Sequence, residues 1–191
     1  EITFQRFSQN PFSDNGFDMM IGPSAGVIDF SEGVLVRNGL ANDAPTRRIS
    51  DYHFDDGVTI TDAEVKAQIL ANEATDGNDL IRGFSGGDTL TGGLGDDVLA
   101  GGDGADTYVI NALEGNDTIR ENGIADNEEI IFNFSFAGVS ISNAVDSEDI
   151  LFDFGNGSSL TVVNTVENPN NDGIRDYTFS DAACEIQDIR D

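Results

Sequence analysis

The sequence predicts an all-β chain: a short parallel β-helical coil between two similar β-rich segments, with one short helix ahead of the coil. Three observations predict it. A nine-residue period runs through the middle of the chain, Gly and Asp recur in phase with that period, and the two ends repeat one another in order.

Composition bounds the reading. The 191 residues suffice for one large or two small domains. Hydrophobic residues are 38% and charged residues 24%, so a full core is feasible in only part of the chain. Glycine is abundant (22) and proline scarce (4), which points to glycine-rich turns rather than a proline-rich linker. Nine Lys+Arg against 36 Asp+Glu leave a net charge of −27. Such a surface repels phosphates and anionic membranes, which disfavours both, and nucleic acid in particular, as partners. It also repels itself, so compaction calls for bound cations. Chains this acidic are disordered, halophilic or calcium-binding, and the placement of the aspartates must decide.

The lone Cys184 excludes an internal disulfide framework and a thiolate cluster, and the lone His53 excludes a multi-histidine zinc site within the chain. No apolar run is long enough for a membrane-spanning helix. No signal peptide is visible and the first residue is Glu1, which reads as a fragment of a larger protein.

From Ala74 the chain falls into blocks of nine: ATDGNDLIR, GFSGGDTLT, GGLGDDVLA and GGDGADTYV. After Ile110 and Asn111 a fifth block, ALEGNDTIR, ends at Arg120. The fourth position holds Gly77, Gly86, Gly95, Gly104 and Gly115; the sixth holds Asp79, Asp88, Asp97, Asp106 and Asp117. The eighth holds Ile81, Leu90, Leu99, Tyr108 and Ile119. Six residues of each block suit a turn whose backbone angles glycine adopts without a Cβ clash. Three more suit a short strand whose middle side chain points inward. Two blocks then make one coil, and each turn stacks on the turn two blocks later. Stacking sets aspartates and turn carbonyls around a common gap, and a cage of about six hard oxygens is what Ca²⁺ prefers. An acidic linker would not keep an apolar residue in phase with Gly and Asp. A metal-free solenoid would leave stacked carboxylates repelling one another.

These blocks resemble the G-G-x-G-x-D-x-U-x nonapeptide of the RTX (repeats-in-toxin) family, whose repeats form a calcium-binding parallel β-roll. The resemblance implies that one loop of a stacked pair gives carbonyls from its second and fourth positions and its Asp. The loop above gives carbonyls from its first and third positions and its own Asp. Carried over by position, one site takes Thr75, Gly77 and Asp79 with Gly92, Leu94 and Asp97. A second takes Phe84, Gly86 and Asp88 with Gly101, Asp103 and Asp106. A third takes Gly93, Gly95 and Asp97 with Ala112, Glu114 and Asp117, giving three calcium ions or more. Two departures bear on this assignment: Ala74 and Thr75 replace the glycine pair of the first block, and Ile110-Asn111 interrupts the third site.

Outside the blocks, four segment pairs recur in order: Ile2-Thr3-Phe4 with Ile130-Ile131-Phe132, and Val27-Ile28-Asp29-Phe30 with Leu151-Phe152-Asp153-Phe154. The others are Val36-Arg37-Asn38 with Val162-Val163-Asn164, and the stretch from Ile49 to Phe54 with that from Ile174 to Phe179. The offsets are 128, 124, 126 and 125 residues. The chain therefore divides into a β-rich flank at 1–72, a roll at 73–120 and a second β-rich flank at 121–191, the flanks capping the roll's open edges. Runs such as Gly33-Val34-Leu35-Val36 and Ser159-Leu160-Thr161-Val162-Val163 read as short antiparallel strands, with a turn at Gly155-Asn156-Gly157. Thr61-Asp62-Ala63-Glu64 is a capping box that starts a helix running to about Asn72, with Val65, Ile69 and Leu70 as its apolar face.

Three features imitate other chemistry. Gly22-Pro23-Ser24-Ala25-Gly26 spells G-x-S-x-G, but Val27-Ile28-Asp29-Phe30 after it reads as a strand where a nucleophile elbow needs a helix. Asn168 to Gly173 with Asp176 imitates an EF-hand loop, yet Phe179 stands where the last glutamate is needed. Cys184 has only His53 as a possible base and reads as a small residue of a strand or turn. No enzyme is therefore expected. The resemblance implies a bacterial protein, extracellular or at the cell surface, exported unfolded by the type I secretion machinery and folding on Ca²⁺ outside the cell. It would be a structural part of a larger toxin, adhesin or exoenzyme, with adjacent RTX blocks as neighbours. The alternatives are a glycan- or host-cell-binding module and the accessory domain of a secreted hydrolase.

Overall fold

The structure, a computed structural model, describes residues 2–7, 18–23, 34–36, 51–54, 57–121, 128–143, 149–163, 174, 176–181 and 183–185. It is mostly β with one short helix, and it divides into two compact units, Glu1–Asn72 and Glu73–Asp191.

In the first unit, β1 (Ile2–Phe7), β2 (Asp18–Pro23) and β3 (Val34–Val36) form an antiparallel sheet in that order. β4 (Asp51–His53) and β5 (Thr59–Thr61) form an antiparallel hairpin that buries Tyr52. Helix α1 (Asp62–Glu73) follows at once. The expected capping box starts it: Glu64 N donates to Thr61 Oγ1 at 3.2 Å, and Thr61 N donates to Glu64 Oε2 at 2.8 Å. Two amides at the helix start are thereby satisfied reciprocally, and the Thr61 donors hold the Glu64 carboxyl below its ordinary value. Val65, Ile69 and Leu70 are buried as the pattern predicts. Lys66 joins them, its stem lying along the apolar face while its ammonium pairs with Asp62 at 3.1 Å one turn back. Of the described helices, none is long and apolar enough to cross a membrane.

In the second unit the chain runs through β6 (Leu80–Arg82), β7 (Thr89–Leu90), β8 (Val98–Ala100), β9 (Thr107–Ile110) and β10 (Asn116–Arg120). It continues through β11 (Glu129–Phe132), β12 (Ser140–Asn143), β13 (Ile150–Asp153), β14 (Ser159–Val163), β15 (Asp176–Phe179) and β16 (Ala183–Glu185). Successive strands of the repeat alternate between two sheets. One has the order β12-β13-β14-β10-β8-β6 and the other β16-β15-β11-β9-β7. Pairing is parallel along β6-β8-β10-β14 and along β7-β9-β11-β15. Leu80 faces Val98 and Thr89 faces Thr107, so two nonapeptides make one step of each ladder, as the period predicts.

Each short strand turns its middle residue inward, which is why the eighth position of every block is apolar or aromatic. Ile81, Leu99, Ile119 and Val162 stand in one row; Leu90, Tyr108, Ile130 and Tyr177 stand in the other. All eight are buried. The Ile110-Asn111 insertion lengthens one coil without breaking register, since Val98 faces Thr118. A turn absorbs the extra residues. Leu113 there has φ 70° and is exposed, and the Asn111 amide donates to Glu114 Oε2 at 3.1 Å.

The parallel ladders run on past Arg120. β14 lies beside β10, with Ile119 facing Val162, and β15 lies beside β11, with Ile130 facing Tyr177. Antiparallel strands appear only beyond these: β12-β13-β14 in one sheet, β15-β16 in the other. The hairpin between β13 and β14 turns on Gly155 (φ 71°) and Gly157 (φ 95°), where the sequence places it. Segments that resemble one another in the two flanks thus pair differently where described. Ile2–Phe4 is antiparallel in β1, and Ile130–Phe132 is parallel in β11. The match at Val27–Phe30 lies outside the described residues. At this end aromatic rings replace the small aliphatic core. Phe132 stacks on Phe179 at 4.2 Å between centroids and meets Phe152 of the opposite sheet at 5.2 Å.

Leu99 is wholly buried and flanked by strands on both sides, so Leu99→Ala should lower stability in CaCl₂ by about 2–5 kcal/mol in urea unfolding. Leu94→Ala, on a half-exposed turn side chain, should stay within about 0.5 kcal/mol.

Candidate metal centre

The turns between strands stack as closely as the strands. Gly95 has φ 118°, and a Cβ there would lie 2.7 Å from the carbonyl carbon of Gly77 one coil earlier. Gly104 has φ 128° and stands in the same relation to Gly86. Both the backbone angle and the approach exclude any other residue.

The sixth-position aspartates form two columns. Asp79 N donates to Asp97 Oδ1 at 2.8 Å, and Asp97 N donates to Asp117 Oδ1 at 3.1 Å. Asp88 N donates to Asp106 Oδ1 at 2.8 Å. Main-chain bonds keep the columns in step: Val98 N to Asp79 O, Thr107 N to Asp88 O and Thr118 N to Asp97 O, all within 2.8–2.9 Å. The second carboxylate oxygen differs along each column. Asp79 Oδ2 accepts from Thr75 N at 2.7 Å and Thr75 Oγ1 at 2.8 Å, and Asp88 Oδ2 accepts from Phe84 N at 2.5 Å. Thr75, a departure from the glycine pattern, therefore serves the first aspartate with an extra donor. Asp97 Oδ2 and Asp106 Oδ2 are buried and accept no hydrogen bond. A Cβ on Gly92 would run into the first and one on Gly101 into the second.

The residues assigned to the first site come together: Leu94 N donates to Thr75 O at 3.2 Å, Gly77 lies against Gly95, and Asp79 is tied to Asp97 beside Gly92. Those of the second do as well, since Gly86 N donates to Asp103 O at 2.7 Å and Asp88 is tied to Asp106 beside Gly101. For the third, Gly95 N donates to Glu114 O at 2.6 Å and Asp97 is tied to Asp117. Ala112 is exposed in the turn that takes up the insertion, and Gly93 faces Thr75 of the coil below. The carbonyls of Thr75, Asp103 and Glu114 each accept one inter-loop amide, which sets these oxygens at the gaps between stacked turns.

Burial pushes the Asp106 carboxyl up to about 7; the Asp88 amide opposes this, and the carboxylates of Glu121, Asp88 and Glu128 add to it. Asp117 is raised to about 6, first by burial and then, against the Asp97 amide, by Asp97, Glu114 and Asp96. Asp97 is raised as well, chiefly by burial and further by Asp79 and Glu114. Ionised and unaided, such groups destabilise the stack.

The donor set fits one class of ion. Among the described residues no three His, Cys, Asp or Glu side chains converge as a metal cluster, so main-chain carbonyls must complete any shell. Paired carboxylates, carbonyls and two buried oxygens in want of a partner suit a hard dication with six to eight oxygen ligands, as Ca²⁺ has.

Some of the site was not foreseen from the period. Tyr108, wholly buried in the inward row, accepts from Gly101 N at 2.7 Å and donates to Glu121 Oε2 at 2.6 Å; Gly102 N donates to Glu121 Oε1 at 3.1 Å. A second ladder runs outside the aspartates: Asp96 N to Asn78 Oδ1 at 2.9 Å, Asn116 N to Asp96 Oδ1 at 2.8 Å, and Ser159 Oγ to Asn116 Oδ1 at 3.0 Å. The polar fifth position of alternate blocks was its signal; nothing in the period marks Glu121. Of the imitations, His53 shares a hydrogen bond with Thr59 across its hairpin at 2.9 Å. Gly22-Pro23 ends β2, and Ser24 to Gly26 lie outside the described residues, as does Asn168 to Gly173. Cys184 stands in β16 opposite Tyr177.

Parallel two-sheet ladders with an aspartate column between the turns define a cation-binding repeat protein. Residues 73–108 match the RTX calcium-binding nonapeptide repeat in four copies, so this part of the chain belongs to that repeat family. Such repeats imply Ca²⁺ binding and are typical of secreted bacterial proteins. The fifth block, with Asp117, lies beyond the matched residues. No curated protein matches the chain.

The raised carboxyls give a pH dependence. Between about 4 and 7 for Asp106, and between about 4 and 6 for Asp117, the folded chain holds a proton that the unfolded chain, with ordinary aspartates near 3.8, has released. Without calcium, the contribution of these two groups to stability is therefore fullest below pH 4 and is lost as pH rises through the folded values. In EDTA the strand content seen by circular dichroism should be higher at pH 5 than at pH 8. In calcium the urea midpoint should instead be lower at pH 5 than at pH 8, because protons compete for the same oxygens.

Proposed function

We propose that residues 73–120 form a β-roll whose folding is coupled to Ca²⁺, that the β-rich segment after it caps it, and that it serves as a structural module of a larger secreted protein. The observation that carries the reading is the aspartate column with the buried, unpartnered Oδ2 atoms of Asp97 and Asp106, lying within RTX repeats. Asp97 and Asp106 would hold the ions from the loop above and Asp79 and Asp88 from the loop below, with the carbonyls of Gly77, Gly86 and their partners at the sides. Bound calcium would supply the positive charge that offsets the stacked carboxylates. The net charge of −27 and the conformational entropy of the glycine turns then oppose the coil wherever those carboxylates stay uncompensated. Binding energy thereby becomes folding energy. Extracellular calcium modules bind in about the 10⁻⁴–10⁻³ M range, which suits a chain that passes a type I secretion channel unfolded and folds outside the cell.

The module is read as non-enzymatic. The chain's one histidine, His53, is held in the β4–β5 hairpin by Thr59, which supports a structural role for that residue. Any catalytic or ligand-binding activity is assigned to other parts of a larger chain.

Circular dichroism in EDTA and then in CaCl₂ tests the coupling: coil should convert to strand on adding calcium, and an unchanged spectrum sinks the reading. Replacing both Asp97 and Asp106 by Ala removes the carboxylate core of the column. It should raise the calcium midpoint at least about tenfold, the worth of one buried polar group left unmatched. Indifference to that change would rule out the ligand assignment.

A further inference from the structure

The column of carboxylates does not end with the fifth block. Thr107 N donates to Asp88 O at 2.8 Å, and Glu129 N donates to Asp106 O at 2.9 Å, the same bond one coil on. Ile130 stands beside Tyr108 as Tyr108 stands beside Leu90. Glu128 therefore takes over Asp106 the place that Asp106 takes over Asp88. It lies outside the residues that match the repeat family, with a glutamate where the repeat has aspartate, and it is wholly buried.

Asp106 is built to face such a neighbour. Its Oδ1 is turned to the coil below through the Asp88 amide. Its Oδ2 is buried beside Gly101 and accepts no hydrogen bond. Gly101 and its neighbour Gly102 are tied to Tyr108 and Glu121, which fixes the Glu121 carboxylate on that same side. The charged neighbours acting on Asp106, namely Glu121, Asp88 and Glu128, are all carboxylates. A buried carboxylate oxygen with no donor, surrounded by further carboxylates, is stable only beside a cation or a proton. An all-oxygen set favours a hard dication over zinc or copper.

We infer that Asp106 and Glu128 hold a further calcium ion, one coil beyond the matched repeats, with Glu121 lending its charge from the side. Asp106 is then shared between two ions, as Asp97 is shared between the first and third assigned sites. The inference rests on the calcium reading above and extends it to a ligand that the nonapeptide pattern does not contain.

Native mass spectrometry of the full chain in calcium counts the ions directly, with circular dichroism run in parallel. Glu128→Gln keeps the shape of the side chain and removes its charge. It should still gain strand in calcium through the nonapeptide sites and should bind one ion fewer than the unaltered chain. An unchanged count overturns the inference while leaving the calcium reading in place; an unaltered chain that binds no calcium overturns both. Should Glu128→Gln fail to gain strand, Glu121→Gln decides. It should weaken the last ion to bind by at least about tenfold, equivalent to about 1.4 kcal/mol, and an unchanged titration overturns the inference.

Discussion

One bond recurs through the second unit: the amide of an aspartate donating to the carboxylate of the aspartate one coil later. It fixes the register of the turns, and with them the strands that the turns connect. It also brings negative charges together in a buried place, which no uncharged scaffold could hold at neutral pH. The glycines follow from the same bond. A coil spacing short enough for it leaves no room for a Cβ at Gly95 or Gly104. The inward residues follow as well, because once turns are in register the middle of each strand must face the row beside it.

Much of this was legible because the chemistry repeats faster than the fold varies. Three positions in nine carry the turn, the ligand and the core, and five blocks in phase announce both the parallel ladders and the aspartate columns. The capping box at Thr61 and Glu64 was equally plain, since it depends on residues only three apart. What was hidden depends on distance along the chain. β14 joins β10 only after β12 and β13 have been laid down, so Ser159 meets Asn116 without any period to show it. The flank resemblances likewise reported strand-forming sequence correctly for β4 and β15, but not their partners: the same pattern pairs antiparallel in one and parallel with β11 in the other.

Core chemistry changes along the stack for a physical reason. In the first three repeats each strand buries one residue, and Ile81, Leu90 and Leu99 cannot by themselves supply a large apolar interior. Farther on, Phe132, Phe152, Tyr177 and Phe179 bring larger buried surfaces and contact one another across the two sheets. One end of the unit therefore packs large aromatic rings, and the other carries the buried carboxylates that the proposed calcium ions would compensate. Tyr108 and Glu121 stand where these two regimes meet, joining an inward aromatic ring to the turn of the fourth block.

Hydrogen exchange at the amides of Asp79, Asp88 and Asp97 tests the central claim most directly, because each of these donates to the column itself. If calcium locks the column, these amides exchange almost freely in EDTA at neutral pH and become strongly protected in CaCl₂, while amides of α1 change far less. Equal protection in both conditions would contradict the claim, since the aspartate column would then hold without the ions it is built to bind.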